Sequence, residues 1–253
     1  MHIDRRFVLG LALITGVVAA AVSAPVAAKP RIEKRSFLFD GVERIGYVYV
    51  PASLPSEGAP LLLVFHGSGR DGRSVVDPWR KSADERSFVV VGLDSSNRES
   101  WRIPEDGPNT IKALVDNLAG EVAIDGKRIY LFGHSAGAVF VLRLALLESE
   151  YFAAAAVHAG TFREQSDYAL IGAAERKIPV KILIGDRDEY FPLETAEATA
   201  AAFEAEDMPF DLEVVRGHGH WYYDKARSFN ATLWEFLQQH ALEAEPRWKD
   251  YRY

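Results

Sequence analysis

Positions 133–137 hold the residues best suited to chemistry, with the sequence Gly-His-Ser-Ala-Gly. An apolar run at 129–132 precedes them and a segment with helical periodicity follows, so Ser135 lies in a turn between a predicted strand and a predicted helix. The glycines on both sides permit a turn sharp enough to expose the serine hydroxyl. An ordinary serine in a strand–helix turn is the alternative interpretation. The context favours a nucleophile that attacks a carbonyl carbon.

A serine hydroxyl is a weak nucleophile, so it needs a base, and the base needs an acid that orients it. In chains with this kind of turn, the acid and then the base follow the serine, each after a later strand. Two aspartates, Asp186 and Asp188, follow the apolar run at 180–184. Asp188 is favoured because it stands three residues after Gly185 and four before Pro192. Asp186 is expected to cap the loop or to pair with an arginine.

The base is expected between the last predicted strand and the last predicted helix, where two histidines, His218 and His220, are found. His220 is favoured because it directly precedes Trp221 and the helix. Two other histidines have simpler interpretations. His158 is expected to be a hydrogen-bonded core residue, and His134 is expected to point away from the site.

An acyl-transfer site also needs donors that stabilise a negatively charged oxygen. The backbone amide of Ala136, directly after the serine, is the first candidate. The second is the amide of Ser68, in the glycine-containing loop at 65–72. Trp101 and Trp221 are candidates for an aromatic wall that binds substrate, although aromatic residues often pack loops together instead. No metal ion or organic cofactor is expected.

The order of predicted elements indicates how these residues are positioned. Short apolar runs predict eight strands, at 36–39, 45–50, 61–65, 88–93, 129–132, 153–157, 180–184 and 212–215. Helical periodicity lies between them, at 75–86, 109–122, 136–148, 193–206 and 225–240. This alternation predicts a mainly parallel sheet with helices on both faces. Only about 20 residues separate the strands that end at 157 and begin at 180, which leaves room for one helix but for no large lid.

Composition excludes several classes of protein. The 253 residues include no cysteine, which excludes disulfides, thiolate metal sites and a cysteine nucleophile. The net charge of −7 argues against a nucleic-acid partner, because such proteins need a basic surface. With 48% hydrophobic residues, the chain can form a packed core.

The first 28 residues have the pattern of a cleaved signal peptide. Arg5 and Arg6 precede an apolar run at 7–22, and Val26-Ala27-Ala28 fits a cleavage site. The run has about 16 residues, fewer than the roughly 20 that span a bilayer, so cleavage is favoured over a retained anchor and no stable membrane insertion is expected afterwards. The paired arginines resemble a twin-arginine export signal, and the Sec route is the alternative. We expect export to the periplasm or the medium, one domain at 34–242 and a polar tail at 243–253.

Taken together, the motifs resemble those of serine esterases with the α/β-hydrolase fold. The resemblance covers roughly residues 35–240, through YVYVP at 47–51, HGSG at 66–69, GHSAG at 133–137, GDRDEYFP at 185–192 and GHGHW at 217–221. The chain is similar to secreted feruloyl-esterase-like, polyhydroxybutyrate-depolymerase-like and dienelactone-hydrolase-like enzymes. It departs from the depolymerases because it lacks cysteines and has HGSG where they often have a cysteine-containing loop.

This resemblance implies an α/β-hydrolase fold with a mainly parallel, eight-stranded sheet and a triad of Ser135, Asp188 and His220. The implied activity is hydrolysis of a carboxylic ester of a small or aromatic substrate through an acyl-enzyme on Ser135. A serine peptidase or another acyl transferase of the same fold is the first alternative. The second is a binding protein that keeps the fold without catalysis.

Overall fold

The central sheet is built from the apolar runs that the sequence contains. A computed structural model describes residues 30–249 and 251–252, so the predicted signal peptide at 1–28 lies outside the described residues. The strands are β1 (Glu33–Phe39), β2 (Val42–Tyr49), β3 (Ala59–Phe65), β4 (Val89–Leu93), β5 (Ile124–His134), β6 (Ala154–His158), β7 (Val180–Gly185) and β8 (Phe210–Val215). Their order in the sheet is β1-β2-β4-β3-β5-β6-β7-β8.

Strand direction divides the sheet into two parts. The hairpin of β1 and β2 is antiparallel, and β2 pairs antiparallel with β4. All other neighbouring pairs are parallel, from β4 across to β8. Parallel strands share one carboxyl edge, so the loops after β3, β5, β6, β7 and β8 meet on the same side of the molecule.

Helices cover both faces of the sheet. They are α1 (Gly72–Val76), α2 (Arg80–Arg86), α3 (Pro108–Ala119), α4 (Ala136–Leu147), α5 (Gln165–Ala173), α6 (Leu193–Ala205) and α7 (Ala226–Leu237). Apolar residues of α3, α4, α5 and α6 pack on one face, and those of α1, α2 and α7 pack on the other. In β3, Leu61 and Leu63 face the first layer whereas Leu62 and Val64 face the second. Burial on both faces explains why the strand is a continuous apolar run.

The helix predicted at 75–86 is in fact interrupted. The chain forms α1, then a 3₁₀ turn at Asp77–Trp79, then α2. Pro78 lies in the middle of this turn and has no amide hydrogen to donate, which prevents a continuous α-helix. Other boundaries differ from the predictions by a few residues, most of all in β5, which begins at Ile124 rather than at 129.

The connection between β6 and β7 bears on access to the carboxyl edge of the sheet. Between β6 and β7 the described chain forms the short helix α5 and no large lid.

The predicted polar tail at 243–253 packs onto the domain. The Trp248 ring lies 4.4 Å from that of Tyr151, and the Arg247 amide donates to the carbonyl of Glu150. Within residues 30–249 and 251–252, no helix has the length and apolar character needed to cross a membrane.

Candidate active site

Three side chains at the carboxyl edge of the sheet form one hydrogen-bonded chain. The hydroxyl of Ser135, directly after β5, lies 2.9 Å from Nε2 of His220. Nδ1 of His220, in the loop after β8, lies 3.0 and 3.1 Å from the two carboxylate oxygens of Asp188, in the loop after β7. An ionised carboxylate only accepts, so the imidazole must donate from Nδ1, which leaves Nε2 free to accept the serine proton. The arrangement can activate a hydroxyl as a nucleophile.

The backbone at Ser135 explains why glycines surround it. Its φ of 57° and ψ of −120° place it in a strained region that few residues with a side chain adopt. A Cβ atom on Gly133 would overlap the carbonyl of Gly137, and one on Gly137 would overlap the carbonyl of Phe65. Glycine at both positions therefore allows the turn to pack between the first turn of α4 and the end of β3.

Asp188 is held in place and kept ionised by its neighbours. Its side chain is fully buried, and its Oδ1 accepts hydrogen bonds of 2.9 Å from the amides of Tyr190 and Phe191. Burial alone would raise the pKa of Asp188, but hydrogen bonds from His220 and from these two amides lower it overall. The carboxylate is thus a fixed negative charge beside the imidazole.

The two residues that the sequence analysis weighed against Asp188 and His220 lie elsewhere. Asp186 accepts a hydrogen bond of 2.6 Å from the amide of Gly217 and so caps the loop after β8, as expected. His218 is buried and its Nε2 lies 3.1 Å from Nε2 of His158. Neither side chain is hydrogen-bonded to Ser135.

The loop after β3 lies beside the serine. A Cβ atom on Gly67 would be 3.1 Å from the Cβ of Ser135. The next residue, Ser68, donates its hydroxyl to the Glu99 carboxylate over 2.6 Å, and no described residue accepts from its backbone amide. The amide of Ala136 is at the first position of α4, where helical amides have no acceptor within the helix. Both predicted donor amides therefore belong to segments that flank Ser135.

The two predicted substrate-binding tryptophans differ in their surroundings. Trp101 is 8% exposed, donates its indole N–H to the carbonyl of His66 and stacks on Phe140, so it packs the loop that follows β4. Trp221 is 45% exposed beside His220. The sequence analysis missed Tyr190, which is 61% exposed with its ring 4.7 Å from that of His220. The signal available in the sequence was the position of Tyr190 directly after Glu189, in the same loop as the predicted acid Asp188.

Arginine side chains lie over the aromatic rings on both sides of the site. The guanidinium of Arg70, two residues after Ser68, is 4.7 Å from the ring centre of Trp221 and 4.9 Å from that of Tyr223. Arg163 lies 4.2 Å from the ring centre of Phe191 and donates to the carbonyl of Tyr190. Among the described residues, no cluster of three or more histidine, aspartate or glutamate side chains is arranged to hold a metal ion.

Comparison with known proteins places this site in a family. Residues 95–251 match the dienelactone hydrolase family. The chain belongs to this family. The matched region includes Ser135, Asp188 and His220, and the sequence-based resemblance to dienelactone-hydrolase-like enzymes is confirmed.

Named relatives of this dienelactone hydrolase family member include esterases. It is 28% identical over 163 residues to the bifunctional acetylxylan esterase/xylanase XynS20E of Neocallimastix patriciarum, a match that covers 62% of this chain and 23% of that protein. It is 30% identical over 127 residues to poly(3-hydroxyalkanoate) depolymerase C of Paucimonas lemoignei, covering 45% of this chain and 30% of that protein. The chain thus spans less than a third of the length of these two relatives.

Solved structures confirm the fold class. Est1E from Butyrivibrio proteoclasticus superposes with a TM-score of 0.65 at 18% identity, covering 81% of this chain and 98% of that one. The S-formylglutathione hydrolase from Agrobacterium tumefaciens gives a TM-score of 0.66 at 18% identity, covering 86% and 98%. The protein therefore has the α/β-hydrolase fold that the sequence predicts.

Proposed function

We propose that this member of the dienelactone hydrolase family is a serine carboxylic ester hydrolase that forms an acyl-enzyme on Ser135. The observation that supports this most directly is the hydrogen-bonded chain from Ser135 through His220 to Asp188. It has the connectivity that nucleophilic catalysis by serine requires, and the buried carboxylate can stabilise an imidazolium.

The proposed reaction has two halves. In the first, Nε2 of His220 takes the Ser135 proton as the oxygen attacks the ester carbonyl, and the amides of Ser68 and Ala136 stabilise the resulting oxyanion. The imidazolium then gives its proton to the leaving alcohol, which departs and leaves the acyl group on Ser135. In the second half, water attacks the acyl group, His220 accepts a proton from that water, and the carboxylic acid leaves as Ser135 regains its hydrogen.

The substrate that we propose is a small or aromatic ester. The exposed ring of Tyr190 lies 4.7 Å from that of His220, and Trp221, the next residue in the chain after His220, is also exposed. Both rings can stack on a planar group of the substrate. Because the described chain between β6 and β7 forms the short α5 and no large lid, we expect the site to be open. The names of relatives, an acetylxylan esterase and a polyester depolymerase, agree with esters as the bond that is cleaved.

The test compares hydrolysis of p-nitrophenyl acetate by the chain without residues 1–28 and by its Ser135→Ala variant. We expect turnover by the parent and a loss of several orders of magnitude in kcat in the variant. Ser56→Ala, at an exposed serine in the loop before β3, is the matched control and should retain full activity. Equal and low rates for parent and Ser135→Ala would contradict the proposal and favour the binding protein. Cleavage of peptide p-nitroanilides in preference to esters would favour the peptidase.

We also propose that residues 1–28 direct export to the periplasm or the medium. Arg5, Arg6 and the apolar run at 7–22 support this. Expression of the full chain in a bacterial host, followed by fractionation and N-terminal sequencing, tests it. A mature protein beginning near Lys29 outside the cytoplasm is expected, and an uncleaved cytoplasmic product would contradict it. Blocking the Sec and twin-arginine routes separately identifies which one is used.

A further inference from the structure

Three histidines that the proposed reaction does not use lie directly beneath the triad. His134 precedes Ser135, His158 ends β6, and His218 lies two residues before His220. Their exposed fractions are 3%, 0% and 7%. Burying three ionisable side chains is costly unless each polar atom has a hydrogen-bond partner. The nitrogens of these rings should therefore be hydrogen-bonded within the protein.

The three imidazoles form a continuous hydrogen-bonded chain. Nδ1 of His134 lies 3.1 Å from Nδ1 of His158, and Nε2 of His158 lies 3.1 Å from Nε2 of His218. A neutral imidazole has one donor and one acceptor nitrogen. Each contact therefore joins one N–H to one lone pair, and all three rings can be neutral with both nitrogens of His158 in use.

The surroundings of the chain keep it neutral. Aromatic rings enclose it, with Phe229 stacked on His158 at 5.0 Å and Tyr222 on His134 at 5.5 Å. Burial, together with the nearby His220, lowers the pKa of His134 to about 3. Burial and the neighbouring histidines lower the pKa of His158.

The charged groups that face the chain do not reverse this. For His218, burial and then Lys225 lower the pKa, while Asp188 and Asp224 act in the opposite direction. For His134, Arg70 adds to the lowering and Asp188 opposes it. The net effect on each of the three rings is a lowered pKa, which favours the neutral form.

The same histidines also hold the backbone of all three triad segments. The carbonyl of His158 accepts from the Ser135 amide over 3.1 Å, and the carbonyl of His218 accepts from the Arg187 amide over 2.9 Å. Arg187 immediately precedes Asp188 in the chain. His158 thus contacts the nucleophile, and His218 lies in the loop that carries the base and contacts the loop of the acid. The side-chain bond between His158 and His218 joins these two segments.

We propose that the His134–His158–His218 chain positions the base: the bond between His158 and His218 holds His220 within hydrogen-bond distance of Ser135. His218 and His158 are then positioning residues, since neither touches the reacting atoms. This inference rests on the proposed esterase function, because it assigns His220 as the base. Loss of the bond should lower kcat and leave KM nearly unchanged, because the substrate contacts are made by other residues.

A matched pair of variants at position 218 tests the proposal. In His218→Gln the terminal amide reaches the position of Nε2, whereas in His218→Asn the shorter side chain does not reach His158. We expect His218→Asn to lower kcat for p-nitrophenyl acetate about tenfold to a hundredfold, as for a small misplacement of a catalytic group. His218→Gln should recover most of that loss, with KM within about twofold of the parent in both. His240→Asn, at a histidine that packs edge-on against Phe236 and takes no part in the histidine chain, is the control and should change nothing.

A second measurement does not depend on turnover. Proton NMR of the parent should show a downfield signal from the His220 Nδ1–H that donates to Asp188, and His218→Asn should shift or broaden it while His218→Gln preserves it. Equal kcat and equal downfield signals in the two variants would overturn the positioning role. A parent that shows no esterase activity would instead contradict the proposed function, and the NMR comparison would still decide whether the chain positions His220. If His218→Asn does not fold, His158→Asn, which keeps a polar atom toward His134 and loses the one toward His218, takes its place.

Discussion

Gly67 packs so tightly against Ser135 that a Cβ atom on Gly67 would lie 3.1 Å from the serine Cβ, and 3.4 Å from Cδ2 of His134. The Gly67→Ala variant must therefore push the loop after β3 away by a few tenths of an ångström. Because Ser68 is the next residue, this movement displaces a proposed oxyanion donor. We expect kcat for p-nitrophenyl acetate to fall about tenfold to a hundredfold. Steady-state kinetics with a check of the melting temperature measures this.

A glycine in an open position is the control for that variant. Gly120 has helical backbone angles, and a Cβ atom there would meet its nearest neighbour at 3.5 Å, an ordinary contact. Gly120→Ala should have the kinetics of the parent. A Gly67→Ala enzyme with parental kcat would show that the position of this loop does not limit the reaction.

The fold was predictable from the sequence because the central strands β3, β4, β6 and β7 are buried on both faces. Every residue of β3 is buried, so its sequence lacks the alternation of polar and apolar residues that is typical of a strand with one face exposed to solvent. The helix at 75–86 was predicted as continuous because its apolar spacing persists across Pro78. It is interrupted there because proline has no amide hydrogen to donate within a helix.

The candidate site was predictable to the extent that it follows chain order. Ser135, Asp188 and His220 each stand just after a parallel strand, so topology alone brings them to one edge. The histidine chain could not be found in this way. His134, His158 and His218 come from three separate segments, and their contacts depend on ring orientations that neither periodicity nor spacing encodes. Tyr190 was missed for the same reason, since its exposure is a property of the folded loop.

Asp188→Asn should separate the charge of the acid from its shape. The amide nearly preserves the volume and can still accept from the Tyr190 and Phe191 amides, but it has no negative charge to stabilise an imidazolium and can favour the wrong tautomer of His220. We expect kcat to fall by about 10³ to 10⁴. A drop of less than about tenfold would mean that Asp188 is not the acid of the triad. Asp186→Asn is the control, because Asp186 contacts the Gly217 amide and not His220.

Acid should destabilise the fold through the buried histidines. The folded pKa of His134 is about 3, below the value of 6.5 for a free histidine. Between these values the unfolded chain binds a proton that the folded chain does not, so the free energy of unfolding falls as pH decreases from about 6.5 towards 3. The contribution of one such histidine is about 1.4 kcal/mol per pH unit.

Urea unfolding of the parent and of His134→Phe at pH 7, 6, 5 and 4 measures this contribution. Most other titrating groups are shared by both proteins, so the difference between their unfolding free energies reports on His134, together with His158, whose pKa His134 lowers. The variant is expected to be less stable at pH 7, and the difference should shrink by about 1.4 kcal/mol per pH unit below about 6.5. A difference that is constant with pH would mean that His134 is protonated in the folded protein.

Asp106 should be the most important single carboxylate for the stability of the loop after β4. It is fully buried and accepts from Arg44 at 2.5 Å, from the Ser96 amide at 2.7 Å and from the Arg102 amide at 2.8 Å. Asp106→Ala leaves the buried Arg44 charge without its partner, and we expect a loss of about 3 to 5 kcal/mol in urea unfolding.

The exposed pair of Lys112 and Asp116 provides the comparison for that variant. Its nitrogen and oxygen are separated by 2.6 Å, about the same as in the buried pair, but both side chains lie on the solvent face of α3. Asp116→Ala should cost less than about 1 kcal/mol. Similar losses at the two positions would mean that burial of the ion pair does not determine its contribution.

Tyr190 and Trp221 should determine the preference for aromatic esters. Tyr190 is exposed with its ring 4.7 Å from that of His220, and Trp221 is exposed as the next residue in the chain. An offset stack of either ring on an aromatic group of the substrate is favourable by about 1 kcal/mol. We therefore expect Tyr190→Ala and Trp221→Ala each to lower kcat/KM for an aryl-acid ester such as p-nitrophenyl benzoate about fivefold more than for p-nitrophenyl acetate. Trp221→Phe keeps an aromatic face and should retain most of the preference. Equal losses on both esters would instead assign these rings to holding the His220 loop, since a displaced base slows every substrate alike.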